Sequence, residues 1–210
     1  MRERGAAVST SVDETWTRTH RAKAAAQLML GWVALLWLIE AVDFATGHAL
    51  DAYGIEAREP GSLLRVPLAA FLHFGFDHVA ANSVPLLVFG FVAALGGIRR
   101  FLAVCALIIA ADGLGTWLIS PSYTLTAGAS GVVFGLFGYV VVRGFVERKA
   151  LGIVVGLAIG LYWGATVLAG ILPLTPGVSW QGHLCGLVAG VVTALFFRRP
   201  DRPAALPQGV

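Results

Sequence analysis

Gly128-Ala129-Ser130-Gly131 opens the apolar run Val132–Val146, and the reading of this junction decides the architecture. A serine between glycines carries no meaning by itself. Here it stands where a turn, Pro121–Ala127, gives way to a segment whose single charge, Arg143, lies near the far end. The rest of the chain is equally apolar. Of 210 residues 57% are hydrophobic and 13% charged, with mean hydropathy +0.78, whereas soluble domains are about 25% charged. The chain reads as an all-α, polytopic membrane protein, long enough for about six spans of roughly 20 residues each. Cys105 and Cys185 lie inside apolar segments, as small buried hydrophobes rather than a disulfide.

Working outward, six spans are expected: Leu28–Phe44, His78–Leu95, Phe101–Ile119, Gly128–Val146, Ala150–Leu172 and Trp180–Phe197. Residues 1–27 form a polar cytoplasmic tail, partly disordered with a surface helix near Trp16, and with neither a cleavage site nor the acid-poor composition of a transit peptide. Residues 28–197 form the six-helix domain, and 198–210 a disordered tail. The first connection, Thr46–Asp77, is long and partly apolar (Leu63-Leu64, Leu68–Leu72) and is expected to lie in the membrane interface. Orientation follows from the basic residues. With the N-terminus cytoplasmic, the basic residues of both tails, Arg99-Arg100, Arg143 and Arg148-Lys149 all fall inside. Only Arg58 and Arg65 fall outside. Both termini are therefore expected in the cytoplasm.

The polar residues share a depth. At about 1.5 Å per helical residue, Ser130 lies roughly 20 Å above the level of Arg143, His183 roughly 22 Å above Arg198 and Asn82 roughly 20 Å above Leu95. His78 and Asn82, at i and i+4, share one helix face. Ionisable side chains at membrane depth usually face the interior and mark a site. Gly131 and Gly135 make a small-residue face on the fourth span, and Gly186 and Gly190 another on the sixth, of the kind that lets helix backbones approach closely. If those faces meet, Ser130 and His183 become neighbours at the top of the contact.

This set permits acyl transfer. A hydroxyl needs a base to become a nucleophile at neutral pH. His183 can take the Ser130 proton and return it to a leaving amine. His78, the Asn82 amide and the Ser130 backbone N–H can donate to an oxyanion. No carboxylate completes a triad: Asp77 sits at the mouth, and Asp112 is too deep to orient His183. A Ser130–His183 dyad is the expectation, in a polar cavity open to water.

At these residues the sequence resembles the rhomboid family of intramembrane serine proteases, prokaryotic six-helix type, over about Leu28 to Phe197. Gly128-Ala129-Ser130-Gly131 matches the family's Gly-x-Ser-Gly motif. His183 with Gly186 and Gly190 matches its sixth-helix motif, His78-x-x-x-Asn82 its second-helix pair, and His73 a further structural histidine. The resemblance implies Ser130 as nucleophile, His183 as base, and His78 and Asn82 as oxyanion donors. It also implies transmembrane protein substrates cut near the outer membrane boundary, and residence in a prokaryotic plasma membrane. Two positions depart from the pattern. Leu64-Arg65 stands where the family has Trp-Arg, and Phe134 replaces a tyrosine that stacks on the catalytic histidine, a role a phenyl ring can still fill. The alternative is a catalytically inactive relative that binds transmembrane helices. A metal centre on His73, His78 and His183 lacks a convincing ligand set, so no metal and no cofactor are expected. The basic residues are explained by topology, so no nucleic-acid partner is expected. The sequence leaves the oligomeric state open.

Overall fold

The computed structural model describes residues 3–198. Its long helices are α1 (Glu3–Ala45), α3 (Phe76–Ala94), α4 (Ile98–Ile119), α5 (Ser130–Val146), α6 (Ala150–Gly170) and α7 (Trp180–Phe196). A short α2 (Val66–Ala69) lies in the first connection. Among the described residues, four helices are long and apolar enough to cross a membrane: the Thr17–Ala45 part of α1, α3, α4 and α6. Helices α5 and α7 have 17 residues each. That is about 26 Å of rise, at the lower limit for a hydrocarbon core of about 30 Å. The chain is an all-α polytopic membrane protein with its six long helices in one bundle.

Helix α5 is the axis of the bundle. Its residues from Gly131 through Val140 are all buried, as expected of a helix that is apolar on every side. It packs most extensively on α7, then on α6, α3 and α4, while α1 packs on α3 at the periphery. The α1–α3 crossing is close because α3 presents Gly90, where an added Cβ would run into Met29 Sδ. Trp37 Nε1 adds a hydrogen bond of 2.9 Å to Ser83 Oγ across the same crossing. Helix α6 is turned outward and exposes Leu151, Val154, Leu157, Leu161 and Leu168. In water such a stripe would be an association surface; on a membrane helix it is the face that meets lipid.

The span boundaries fall within a few residues of those read from the sequence, with one exception. The helix expected near Trp16 is longer than a local surface helix and continuous with the first span: α1 runs unbroken from Glu3. Residues 18–27 are rich in alanine and contain neither Gly nor Pro, so nothing there stops a helix. The tail expected after residue 197 lies outside the described residues apart from Arg198.

At the arginine-rich end, Glu147 ties three helices together. Its side chain is 3% exposed and accepts from Arg100 (2.6 Å), Arg143 (3.0 Å) and Lys149 (2.9 Å). Arg100 also donates to the Phe197 carbonyl at 2.6 Å, which brings in the end of α7. Burial alone would raise the pKa of Glu147; the hydrogen bonds from Lys149, Arg143 and Arg100 outweigh it and hold the carboxyl at about 2.

The opposite end is organised by a small antiparallel sheet that the sequence did not announce. Strand β1 (Ile55–Glu56) pairs with β2 (Leu125–Thr126), with Ile55 opposite Thr126 and Glu56 opposite Leu125. This pairing ties the first connection to the segment entering α5. Arg65 donates to the Ala52 carbonyl at 2.9 Å, while Leu64 beside it is exposed.

Candidate active site

The start of α5 is held by its backbone. Gly128 has φ +139°, a conformation that L side chains rarely adopt, and a Cβ there would stand 2.9 Å from His78 Nε2. Its N–H donates to the Ala69 carbonyl at 2.9 Å. The next N–H, of Ala129, donates to His73 Nε2 at 3.3 Å. His73 must be neutral to accept, and its surroundings keep it so: burial first, then the neighbouring His78, lower its pKa to about 4. With Gly128 and Ala129 pinned, Ser130 is delivered at the first turn of α5, half-buried. The Ser130 and Gly131 N–H groups fall among the helix-initial donors that have no partner four residues back.

His183 lies on α7 with its ring stacked on Phe134 of α5, centroids 4.0 Å apart and planes 13° from parallel. Its Nδ1 lies 2.9 Å from the carbonyl oxygen of Gly170 at the end of α6. A carbonyl can only accept, so Nδ1 carries the proton and Nε2 keeps the lone pair, the tautomer a general base needs. Gly170 has to be glycine: a Cβ would collide with Phe134 Cζ and lie 3.2 Å from His183 Nδ1. The orienting group of His183 is thus a main-chain carbonyl. A main-chain carbonyl belongs to no residue type, so this partner is invisible in the sequence, where only a carboxylate would stand out.

The two glycine faces meet. A Cβ on Gly186 would overlap the Gly131 carbonyl oxygen, and one on Gly190 the Gly135 carbonyl oxygen. Helices α5 and α7 therefore touch backbone to backbone directly below Ser130 and His183. No hydrogen bond joins Ser130 Oγ to His183 in this structure, and both side chains are only partly buried. Catalytic hydrogen bonds are often long without substrate and tighten on binding.

His78 sits in the first turn of α3. Its Nδ1 accepts, at 3.5 Å, from the Phe74 N–H, which leaves Nε2 as the donor, on the side facing Gly128. Ser130 Oγ borders the same space, 3.5 Å from the position a Gly128 Cβ would take. Asn82 is buried, and its Nδ2 donates to the His78 carbonyl at 3.0 Å. That bond fixes the side chain along its own helix and leaves the second amide hydrogen available.

Asp112 has a place the depth estimate did not foresee. It does not reach His183. Instead it fills the space beside Gly131, where a Cβ would clash with its carboxylate, and its Oδ1 lies 3.4 Å from a Cβ built on Gly182. Thr116 Oγ1 donates to it at 3.3 Å. The carboxylate thus lies against the first turns of both α5 and α7, where helix dipoles favour negative charge. With Ser130, Ser179 and Thr116 it lines a small cavity of about 20 Å³, room for about one water. Thr126 and Ser179 are shared with an open cleft of about 430 Å³ between residues 120–126 and 173–181. Among the described residues, the histidines of this layer belong to no group with metal-binding geometry.

Comparison with known proteins agrees with this architecture. Residues 60–200 match the Rhomboid domain. The chain is similar to an uncharacterised protein of Mycobacterium tuberculosis, 42% identical over 184 residues, covering 84% of this chain and 76% of that one. It is also similar to a rhomboid-named protein of Acanthamoeba polyphaga mimivirus, 30% identical over 147 residues, 63% of this chain and 74% of that one. A Bacillus subtilis protein whose name carries the term rhomboid protease is 27% identical over 172 residues, 77% of this chain and 82% of that one.

Proposed function

The chain belongs to the rhomboid family, and from that premise we propose that it is an intramembrane serine endopeptidase acting on transmembrane proteins near the outer membrane boundary. Ser130 Oγ attacks the scissile carbonyl carbon while His183 Nε2 takes its proton. The oxyanion that forms accepts from His78 Nε2–H, the free Asn82 amide hydrogen and the Ser130 N–H. Collapse breaks the C–N bond, His183 returns the proton to the leaving amine, and a water activated by the same imidazole releases the acyl group from Ser130. Both termini face the cytoplasm in this reading, which places the Ser130 layer toward the exterior.

The observation that carries the proposal is the seating of His183. Its proton is committed to the Gly170 carbonyl at 2.9 Å, its ring is stacked on Phe134, and its helix is locked by glycine contact to the helix that begins at Ser130. A histidine needed only for packing would not require a fixed tautomer with its other nitrogen left unbonded.

The test is cleavage of a single-span reporter by purified protein. Ser130→Ala and His183→Ala are each expected to lower turnover by about 10⁴-fold or more; retained cleavage in either variant refutes the proposal. The missing Ser130–His183 hydrogen bond favours one other reading, an inactive helix-binding relative. A serine-reactive phosphonate separates the two: labelling at Ser130 that is lost in His183→Ala requires an activated hydroxyl, and its absence supports the inactive form.

A further inference from the structure

Away from the serine, where α1 ends on the side of the molecule opposite the Glu147 cluster, two acidic side chains are buried with no Lys or Arg beside them among the described residues. Glu40 and Asp43 are 1% and 2% exposed. Three residues apart, they share one face of the helix. After Ala45 the chain turns back through Gly47 (φ +71°) and His48 (φ +63°), and the turn brings His48 Nδ1 to 3.0 Å from Asp43 Oδ2. Asp43 Oδ1 is occupied by the Leu50 N–H at 2.7 Å. Both carboxylate oxygens of Glu40 are buried and have no hydrogen-bond partner within 3.5 Å, the Gly75 N–H being the one backbone donor that acts on the carboxylate. Asp51 adds a third acid: its Oδ2 is 3.9 Å from His48 Nδ1, and its buried Oδ1 is also without a partner. No Lys or Arg pairs with Glu40 or Asp43 among the described residues. An unpaired buried carboxylate costs several kcal/mol, and the one neighbouring group that can offset three acids is His48, a cation only when protonated.

We propose that Glu40, Asp43 and His48, with Asp51 beside them, bind one divalent transition-metal cation of the zinc class. One donor atom from each of the first three lies within 4.8 Å of the other two. Around a tetrahedral zinc, donors at about 2.0–2.2 Å stand about 3.3–3.6 Å apart, so the set reaches binding distance by side-chain rotation about a shared centre. The chemistry of the donors selects the class. An imidazole among carboxylates suits zinc or its first-row neighbours, whereas calcium and magnesium take oxygen alone. His48, half-exposed, gives the ion a route in and leaves positions for water. Bound there, the ion ties the end of α1 to the connection that leads to β1. This proposal departs from the expectation of no metal, which weighed only the histidines of the Ser130 layer.

The full-length protein, purified in detergent and stripped with chelator, is titrated with zinc chloride by calorimetry and by thermal unfolding. One zinc per chain and a chelator-reversible rise in melting temperature are expected, with calcium chloride at the same concentration producing neither. Glu40→Gln and His48→Gln are each expected to weaken zinc binding at least tenfold and to abolish the thermal shift. Chelated Glu40→Gln is expected to melt no lower than chelated wild type, because it removes an unpaired buried charge. The proposal is overturned if wild type binds no zinc, if either variant binds it as wild type does, or if calcium alone binds. None of these measurements depends on proteolytic activity.

Discussion

Substituting Gly186 by alanine tests whether the α5–α7 contact sets the distance between nucleophile and base. The added Cβ would stand 3.0 Å from Gly131 Cα and closer still to the Gly131 carbonyl oxygen. Carbon–carbon contacts are comfortable at about 3.5–4.0 Å. Both obstacles are backbone, so no side chain can swing away, and the contact to the carbonyl oxygen requires α7 to retreat from α5 by about 1 Å. His183 is three residues earlier on the retreating helix, and Ser130 is adjacent to the residue it retreats from. Overpacking of this kind costs about 1–3 kcal/mol of stability. A displacement near 1 Å between reacting groups can cost about 10²-fold in rate. The assay is kcat for a single-span reporter in proteoliposomes, measured below the melting temperature of the variant so that loss of fold does not count as loss of rate. Gly164→Ala on α6, where a Cβ meets nothing within 4 Å, is the control and should keep wild-type turnover. A folded Gly186→Ala protein with wild-type kcat would refute the claim that this contact sets the catalytic distance.

Two further outcomes follow from the same geometry. Glu147 is held at about 2 in the folded protein, below an ordinary glutamate at about 4.3. A carboxylate depressed by folding contributes stability that is fully present above its ordinary value and is lost as pH falls through the folded one. The stability difference between wild type and Glu147→Gln should therefore be constant above about pH 5, amount to about 3 kcal/mol there, and shrink as pH falls toward 2. Comparison with the variant is needed because His73, lowered to about 4, removes stability in the separate window between about 6.5 and 4. A difference independent of pH down to 3 would mean that the charge of Glu147 does no bridging. Asp112→Asn should leave cleavage within about tenfold of wild type, since the Gly170 carbonyl orients His183; a triad carboxylate would cost about 10⁴-fold, and a loss of that size would reinstate Asp112 as the third member.

Much of this architecture could be read from the sequence because it is written in residue types that have few other uses at membrane depth. The six apolar runs gave the helix boundaries. The spacing of Gly131 with Gly135 and of Gly186 with Gly190 marked the two faces that meet. His78 and Asn82 lie on one face of α3 as an i, i+4 pair must. What could not be read falls into two kinds. The strand pairing of Ile55 with Thr126 and the turn through His48 join segments distant along the chain or set by backbone angles, and neither carries a periodic pattern. The second kind is more instructive. The groups that pin Gly128 and orient His183 are the carbonyls of Ala69 and Gly170, and every residue has a carbonyl. The only trace such a partner leaves in a sequence is indirect, as a residue that must stay small so the approach can occur. Gly170 is that trace: its missing side chain admits both the Phe134 ring and His183 Nδ1. Gly131 leaves the same kind of trace beside Asp112, whose carboxylate occupies the space a Cβ there would need. Glycines next to a suspected base or nucleophile are therefore better guides to main-chain partners than a search for a third catalytic side chain.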